Sequence, residues 1–552
     1  MLLAALVAAL TPYLVNLGGS TIWDANEAYY VETPREMLES GDYINPSFNY
    51  EPRFNKPVLS YWLVAGLYHL FGVSVTTERL AIAGCAFVML AAAFLLGRSL
   101  SGSVDAGLIA MLGLAAGPRF FMFSRRILID MANSAALSMI LVFFVLAELY
   151  PARRRRFLDG MYVAVGLGML IKGPVAVVLP VAAFLGYLAA HGELRRLREM
   201  RLVHGGIIVL LIAAPWYVAL YAQHGWTYIT QFFLGENVDR YLSPVGPNDA
   251  RGALFYLPVL ATDMFPWSLA LAGAIAWWWT HRSFGRAVAG GTRDATWRIV
   301  TLLLSWCASF VVFFSFSRSK QDLYIFPVAP AVAALGGWFI HQMITQPMAW
   351  RRWFLGTFAA LGVTLVGLGA LVVVVFVKAG AAYPLAGAVV VGALAVAGGV
   401  LVTVMAWRDA RPGAVIGGVA TLAVINWLLA LQVLPAFERY KPIAPLSATI
   451  DRLVHPGDVV AHFELALPSM TYYLRRHVEV TSDREALQAI LRSGKRVFVV
   501  MPASSYDEVR ADFAPDTCVI ARHPTADVKL RNVLAAADPP EVIVVLTPCP
   551  SS

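Results

Sequence analysis

Three acidic side chains lie beside apolar segments, where a carboxylate could take part in proton transfer. Asp24 and Glu27 directly follow the first apolar segment, and Asp130 precedes a later one. A carboxylate at the mouth of a membrane cavity can act as a general base on a hydroxyl or an amine. It can also orient a hydroxyl or a metal, and an Asp in such a position can instead cap a helix. We take Asp24, Glu27 and Asp130 as candidate catalytic residues and leave the capping alternative open.

Basic and aromatic side chains accompany these acids on the side of the membrane that usually carries few cations. The unexpected cations are Lys56, Arg125, Arg126, Lys172, Arg240, Arg318 and Lys320. Their recurrence indicates an anionic ligand, because Lys holds a phosphate as a point charge and Arg holds it through paired hydrogen bonds. Each cation could also snorkel to the interface, and the nearby tyrosines could form an interfacial belt. The candidate binding residues are Tyr30, Arg53, Lys56, Arg126, Lys172, Arg240, Lys320 and Tyr324.

The composition predicts a polytopic α-helical membrane protein. Of the 552 residues, 59% are hydrophobic and only 14% are charged, which is more apolar surface than one soluble core could bury. A bilayer span needs an apolar window of roughly 17–25 residues. Such windows predict about thirteen transmembrane helices, near residues 1–17, 80–99, 103–118, 131–150, 160–172, 174–190, 205–222, 254–279, 299–316, 323–341, 353–377, 384–406 and 414–434. The first window lacks a basic region and a cleavage site, so we expect a retained helix. Residues 57–72 are apolar but short, which favours a re-entrant or interfacial helix.

The net charge of +8 comes from basic loops and does not indicate a nucleic-acid partner. Arginines cluster at residues 153–156, 195–201, 282–298, 351–352 and 408–411, which is every second predicted loop. The positive-inside rule places these loops in the cytoplasm. Residues 1–437 then form a transmembrane domain, and residues 18–79 form its first outer loop, with interfacial helices.

The composition changes near residue 438, and residues 438–552 predict a soluble α/β domain on the outer side. Five β-rich runs alternate with amphipathic stretches, at residues 458–464, 477–482, 496–502, 517–523 and 541–547. The amphipathic stretches lie at residues 468–476, 483–493 and 505–513. An extracytoplasmic location would permit a disulfide between Cys518 and Cys549 without requiring one. We expect a structural or acceptor-docking domain, because no phosphate-binding glycine loop is present.

Several segments resemble one family of bacterial membrane enzymes. The run WDANEAYYVETPREMLESGDYINPSFNYEPRFNKPVLSYW at residues 23–62 resembles the first periplasmic loop of the aminoarabinose transferases, which are GT-C membrane glycosyltransferases. The wider group includes the dolichyl-phosphate-mannose protein mannosyltransferase-like and RgtA/B/C/D-like enzymes. GLGMLIKGPVAVVLP, FFLGENVDRY and SRSKQDLYIFPVAPA, which begin at residues 166, 232 and 317, are also similar to family segments.

The resemblance implies roles for the candidate residues. Asp24 and Glu27 match the acidic loop motif, and Asp130 matches a second acidic position. Lys56, Arg240 and Tyr324 match the contacts to polyprenyl phosphate. Lys172 and Lys320 match basic positions of the family whose role is less defined. The sequence departs from the aminoarabinose pattern in three places, with Asn26, Asn55 and Asn237 where that subgroup has Asp, Glu and often His. The resemblance leaves a divalent metal open, but amides are poor zinc ligands, and we assign no cofactor.

These expectations describe an inverting glycosyltransferase. It would move a sugar from an undecaprenyl phosphate carrier to a lipid, glycan or protein acceptor, with lipid A or another envelope component favoured. The implied location is the bacterial inner membrane, where the protein contacts membrane lipids and its site and C-terminal domain face the periplasm. The alternative is a transporter or flippase of an anionic lipid-linked substrate. The absence of a nucleotide motif and of paired broken helices disfavours that alternative.

Overall fold

A computed structural model describes residues 2–24, 26–126, 128–243, 251–281, 292–378, 380, 383–513, 516–526 and 537–549. Most of these residues are helical, and a small sheet lies near the C-terminus. The predicted arginines at 282 and 286 lie outside the described residues, as does the side chain at 293. The predicted class, an α-helical membrane protein with a C-terminal α/β domain, is confirmed.

The helices before residue 438 account for the predicted membrane part. They are α1 (Leu2–Leu10), α2 (Ala28–Ser40), α3 (Leu59–Phe71), α4 (Val75–Ser101), α5 (Val104–Ala116), α6 (Pro118–Phe123), α7 (Leu128–Leu149), α8 (Arg154–Lys172), α9 (Val175–Ala190), α10 (Leu202–His224), α11 (Trp226–Ile229), α12 (Arg240–Leu242), α13 (Tyr256–Asp263), α14 (Trp267–His281), α15 (Thr292–Phe316), α16 (Ala329–Thr345), α17 (Pro347–Lys378), α18 (Ala388–Trp407), α19 (Arg411–Leu428) and α20 (Leu434–Phe437). Two π-helices, Thr230–Asp239 and Leu429–Val433, interrupt the series.

Eight helices in the described ranges are long and apolar enough to cross a membrane, or nine if the bent pair α13–α14 forms one span. Three shorter apolar helices, α3, α5 and α9, accompany them. The predicted thirteen spans also include those at 1–17, 103–118, 160–172 and 174–190, whose helices α1, α5, α8 and α9 are too short or too charged at one end for this criterion of length and composition. The predicted span at 254–279 is broken, since α13 and α14 meet at an angle of 113°. The short helix expected at 57–72 corresponds to α3.

Small residues allow the spans to pack closely. A Cβ atom added to Gly392 of α18 would lie 2.7 Å from the Gly369 carbonyl oxygen of α17, so these two helix backbones are nearly in contact. In a bilayer, such close approach replaces the hydrophobic effect as a source of attraction between helices.

Strands β1 (Ser47–Phe48) and β2 (Glu51–Pro52) lie in the first loop, and the C-terminal region folds as a five-stranded sheet with helices. Its strands are β3 (Val459–Phe463), β4 (Glu479–Thr481), β5 (Val497–Pro502), β6 (Cys518–Pro524) and β7 (Glu541–Thr547), in the order β4-β3-β5-β7-β6. Strand β3 pairs in parallel with β4 and β5, while β7 runs antiparallel to β5 and β6. Helices α21 (Ile443–Asp451), α22 (Ser469–Leu474), α23 (Arg484–Leu491) and α24 (Ala503–Val509) complete the domain. Every β-rich run of the sequence forms a strand, and Cys518 is disulfide-bonded to Cys549.

The segment between α1 and α4 is held by a buried ion pair. The Arg79 guanidinium lies 2.7 Å from Oε1 of Glu27, and these two side chains are 2% and 0% exposed. Arg79 also donates hydrogen bonds to the carbonyl oxygens of Leu17, Ser20 and Thr21. The second oxygen of Glu27 accepts the Trp23 N–H. Arg79 thereby joins the start of α4 to the chain that enters α2.

Replacing Arg79 with Ala should destabilise the whole first loop. Loss of one partner leaves a buried carboxylate without its counter-charge, which costs about 3–5 kcal/mol. Denaturant unfolding of the detergent-solubilised protein, followed by tryptophan fluorescence, measures this loss. Arg484→Ala is the matched control, because the Arg484 side chain is 53% exposed and Asp512 keeps its hydrogen bond from Gln488, so the unfolding midpoint should be nearly unchanged. Equal midpoints for the two variants would contradict the anchoring role of Arg79.

Candidate functional site

A cavity of about 590 Å³ opens between the first loop and the spans that follow it. We call it the central cavity. Its polar lining comprises Asn26, Tyr29, Tyr30, Arg53, Asn55, Lys56, Asp130, Asn133, Lys172, Glu236, Asn237, Arg240, Tyr241, Ser317, Gln321 and Tyr324. Its apolar lining comprises Ile129, Pro174, Val175, Val178, Leu179, Phe232, Val238, Leu242, Phe313, Phe314 and Leu323. One space therefore offers both charged groups and a hydrocarbon wall.

The first loop supplies one wall of the central cavity. Strands β1 (Ser47–Phe48) and β2 (Glu51–Pro52) form a hairpin whose turn residues, Asn49 and Tyr50, have positive φ angles of 60° and 63°. Two such residues give the twist that a tight hairpin needs. The chain leaving the hairpin brings Arg53 over the Tyr29 ring of α2, with 3.7 Å between guanidinium and ring centre. This cation–π contact places Arg53 at the cavity wall.

Two ion pairs lie in the central cavity. The Lys172 ammonium lies 2.5 Å from Oδ1 of Asp130, and the Lys56 ammonium lies 2.5 Å from Oε2 of Glu236. Arg240 lies 3.0 Å from the same Glu236 oxygen. Among the described lining residues, Arg53 joins Lys56, Lys172 and Arg240, so four cations face two carboxylates and leave an excess of two positive charges. Such an excess suits an anionic ligand such as a phosphate.

The environment of Lys56 and Glu236 changes their ionisation. Burial lowers the pKa of Lys56 to about 8, although the Glu236 carboxylate opposes this shift. Burial alone would raise the pKa of Glu236, but the Lys56 charge and the hydrogen bonds from Lys56 and Asn55 outweigh it and lower that pKa. Lys56 therefore loses its charge at a lower pH than an exposed lysine does.

The turn between α8 and α9 positions Lys172. Gly173 follows it with a φ of 74°, a conformation that glycine adopts without strain. A Cβ atom at Gly173 would lie 2.6 Å from the Phe232 ring, so the turn packs directly on the π-helix. Lys172 also lies 5.6 Å from the centre of the Tyr324 ring. The LIKGP turn thus fixes the lysine between Asp130 and Tyr324.

The central cavity brings together seven of the predicted site residues, which are Tyr30, Arg53, Lys56, Asp130, Lys172, Arg240 and Tyr324. Asp24, Glu27, Arg126 and Lys320 do not line it. Glu27 is committed to Arg79, and Lys320 is buried and donates to the Ser317 carbonyl oxygen. The Arg126 guanidinium lies 5.2 Å from the Trp23 ring centre.

Asp24 joins the first loop to the C-terminal domain. Its carboxylate accepts hydrogen bonds from the backbone N–H of Ser469 at 2.8 Å and from the Ser469 hydroxyl. Nearby, Glu438 accepts the Thr21 N–H at 2.8 Å and the Ser20 hydroxyl at 2.8 Å. We call this set of contacts the loop clasp. The geometry fits a structural contact better than a proton transfer into the central cavity.

Glu236 and Asn133 are cavity residues that the sequence reasoning did not propose. Glu236 precedes Arg240 by four residues, a spacing that brings side chains together on a helix. Asn133 follows Asp130 by three residues on α7 and therefore shares its face. The spacing of Glu236 from Arg240 and of Asn133 from Asp130 is the sequence feature that could have predicted these two cavity residues.

The amides at the points of departure from the aminoarabinose pattern do not provide a metal site. Asn55 donates to Oε1 of Glu236 at 2.9 Å, and Asn237 donates to the Phe232 carbonyl oxygen at 2.7 Å. Within the described part of the chain, no group of three or more His, Cys, Asp or Glu side chains could hold a metal ion. We derive no step through a metal.

Comparison with known proteins relates the chain to membrane glycosyltransferases. Residues 55–218 match the family model described as dolichyl-phosphate-mannose-protein mannosyltransferase. A Pseudomonas aeruginosa protein named undecaprenyl phosphate-alpha-4-amino-4-deoxy-L-arabinose arabinosyl transferase is 31% identical over 342 residues, covering 60% of this chain and 58% of that protein. An uncharacterized Aquifex aeolicus protein is 28% identical over 347 residues, covering 62% and 64%. Each match spans less than two thirds of the relative's length.

Two solved structures share the fold. The crystal structure of ArnT from Cupriavidus metallidurans bound to undecaprenyl phosphate matches with a TM-score of 0.79 at 21% identity, covering 98% of this chain and 97% of that one. The Archaeoglobus fulgidus oligosaccharyltransferase in the apo form matches with a TM-score of 0.53 at 13% identity, covering 93% and 71%. The resemblance inferred from the sequence is confirmed: the chain is similar to the aminoarabinose transferases and shares the fold of ArnT.

Proposed function

We propose that this protein transfers a sugar from a polyprenyl phosphate carrier to a cell-envelope acceptor. The observation that carries the proposal is the excess of positive charge in the central cavity, directly beside an apolar wall. A lipid-linked sugar phosphate has the matching parts, an anionic group joined to a hydrocarbon chain. The relatives named undecaprenyl phosphate-alpha-4-amino-4-deoxy-L-arabinose arabinosyl transferase, and the ArnT structure bound to undecaprenyl phosphate, support a polyprenyl phosphate carrier.

In the proposed complex, the phosphate lies among the cations and the prenyl chain follows the apolar wall. Lys56 and Arg240 lie near each other through their shared partner Glu236, so both can reach one phosphate. Val175, Val178 and Leu179 of α9 offer apolar surface beside them. The charged end of the donor is thereby held while its tail remains next to the lipid.

The proposed reaction is a single displacement at the anomeric carbon. An acceptor hydroxyl or amine attacks that carbon, and its proton passes to the second oxygen of Asp130, since Lys172 occupies the first. The bond between the anomeric carbon and the phosphate oxygen breaks, and its electron pair stays on the phosphate. The phosphate changes from a diester with one negative charge to a monoester with up to two. The cavity cations stabilise this growing charge.

We place the reaction at the periplasmic face of the bacterial inner membrane. Helix α7 runs from Asp130 in the central cavity to Leu149, where the basic residues 153–156 begin, and α8 returns to Lys172. The cavity and this basic cluster therefore lie at opposite ends of the same helix pair. The positive-inside rule favours a cytoplasmic location for the cluster and so a periplasmic location for the cavity. A lipid A type of acceptor would approach from that side.

The first test is donor turnover by Asp130→Asn. Loss of the general base should slow transfer by about 10²-fold or more while donor binding persists. Mass spectrometry would measure free polyprenyl phosphate and sugar-shifted products after incubation with polyprenyl-phosphate sugars and a membrane lipid extract. Lys56→Ala should instead weaken donor binding, with Arg318→Ala as a control because that exposed cation does not line the cavity. Lipid flux across proteoliposomes without a covalent product would overturn the proposal in favour of a transporter.

Asp24→Asn distinguishes the loop clasp from a catalytic role. In Asp24→Asn the amide oxygen can still accept from the Ser469 N–H and the amide nitrogen can donate to the Ser469 hydroxyl oxygen, so most of the transfer rate should remain. The measurement is kcat under the conditions used for Asp130→Asn. If Asp24→Asn lowers kcat as much as Asp130→Asn does, in a protein with an unchanged unfolding midpoint, Asp24 has a catalytic role.

The proposed function predicts a loss of donor affinity at high pH. The pKa of Lys56 is lowered to about 8, so its charge is complete below that pH and is lost as the pH rises through it. KM for the donor should therefore rise between pH 7 and pH 9. In Lys56→Arg the rise should shift to a much higher pH, because a guanidinium stays charged throughout this range. An identical pH profile for the two proteins would exclude Lys56 as its source.

A further inference from the structure

The carboxylate oxygens of the central cavity are already committed. Glu236 Oε2 accepts from Lys56 and Arg240, while its Oε1 accepts from Asn55. Asp130 uses Oδ1 for Lys172, and the proposed reaction needs Oδ2 for the acceptor proton. Among the described lining residues, no other carboxylate is present. An ammonium group on a bound sugar would have to compete for these oxygens with the cavity cations or with the acceptor proton.

The lining instead offers neutral amides. Asn26, Asn55, Asn133 and Asn237 all line the central cavity. Asn133 is only 3% exposed, and its Oδ1 atom has no hydrogen-bond partner. A buried amide oxygen of this kind normally has a partner, because leaving it unpaired costs free energy. Since Asn133 lies one turn after Asp130 on α7, a sugar placed for reaction at Asp130 would lie within reach of this amide.

The net charge of the central cavity also disfavours an ammonium group on the sugar. A polyprenyl-phosphate sugar with only hydroxyl groups carries one negative charge, which partly neutralises the two excess positive charges of the cavity. An amino sugar on the same carrier has no net charge and would place its cation among four others. Like charges within a few ångströms repel strongly in a partly dehydrated site.

We propose that the donor sugar is uncharged and that Asn133 recognises one of its hydroxyl groups. This inference rests on the proposed transferase function and specifies the substrate class of the same site. Asn133 would accept a hydrogen bond from the hydroxyl through Oδ1, a contact that a neutral hydroxyl can make without a counter-ion. A site built to bind a hydroxyl in this way discriminates strongly between sugars that differ at that position.

The experiment compares three ligands of the full-length protein in detergent. They are polyprenyl phosphate alone, polyprenyl-phosphate pentoses and hexoses, and the same sugars with one hydroxyl replaced by an amine at each position in turn. Binding is measured as the shift in Tm with ligand concentration. The neutral donors should bind at least tenfold more tightly than each amino counterpart and more tightly than polyprenyl phosphate alone.

Variants of Asn133 provide the second measurement. Asn133→Ala should lose about tenfold in affinity for the preferred neutral donor, with the affinity for polyprenyl phosphate alone within about twofold of the wild type. Asn133→Asp should shift the ratio of affinities toward the donor aminated at the recognised position. A change in this ratio reports on sugar recognition, because a purely structural defect would weaken all ligands together.

The outcomes separate the two proposals. If polyprenyl phosphate alone fails to bind, the proposed function is wrong, and the sugar inference that rests on it also fails. If polyprenyl phosphate binds but an amino donor binds as tightly as its neutral counterpart, the inference is overturned and the transferase proposal stands. Unchanged ratios in Asn133→Asp would likewise exclude Asn133 as the residue that recognises the sugar.

Discussion

The buried pair between Arg79 and Glu27 is the contact on which the first loop depends. Arg79 uses its whole guanidinium, since it meets both Glu27 oxygens and three backbone carbonyl groups. A charge removed from water in this way is stable only when all its hydrogen bonds are made. The network fixes the chain where it enters α2, and α2 carries Tyr29 and Tyr30 into the central cavity. A structural ion pair therefore lies directly behind the candidate site.

The loop clasp holds the same segment from the other side. Glu438, at the end of the last candidate span, and Ser469, in the C-terminal domain, bind Ser20, Thr21 and Asp24 of the first loop. The described residues of the C-terminal domain do not line the central cavity, but they contact the loop that forms one of its walls. This arrangement gives the domain a role in positioning that does not require a second catalytic centre.

The sequence could predict the features that depend on local pattern. The alternation of β-branched residues located strands such as β5 and β7, and the cations that violate the positive-inside tendency located Lys56, Lys172 and Arg240. Long-range partners could not be predicted in this way. Glu27 and Asp24 are acidic residues that directly follow an apolar segment, and a catalytic acid could have the same position in the sequence. Their actual partners, Arg79 and Ser469, lie 52 and 445 residues away in the chain. Local spacing carries no information about such contacts.

Asp24 and Asp130 differ in the partners that their carboxylates have in the protein. Both oxygens of Asp24 accept hydrogen bonds from a single serine, Ser469, which ties this carboxylate to the C-terminal domain. Asp130 lies in the first turn of α7, a favourable position for an acidic side chain, and its Oδ1 atom accepts a hydrogen bond from Lys172. The lysine lowers the cost of keeping that carboxylate in a half-buried cavity, and the proposed reaction uses the second oxygen as the proton acceptor. In that proposal, a single pairing both stabilises the carboxylate in the resting protein and leaves one oxygen for the acceptor.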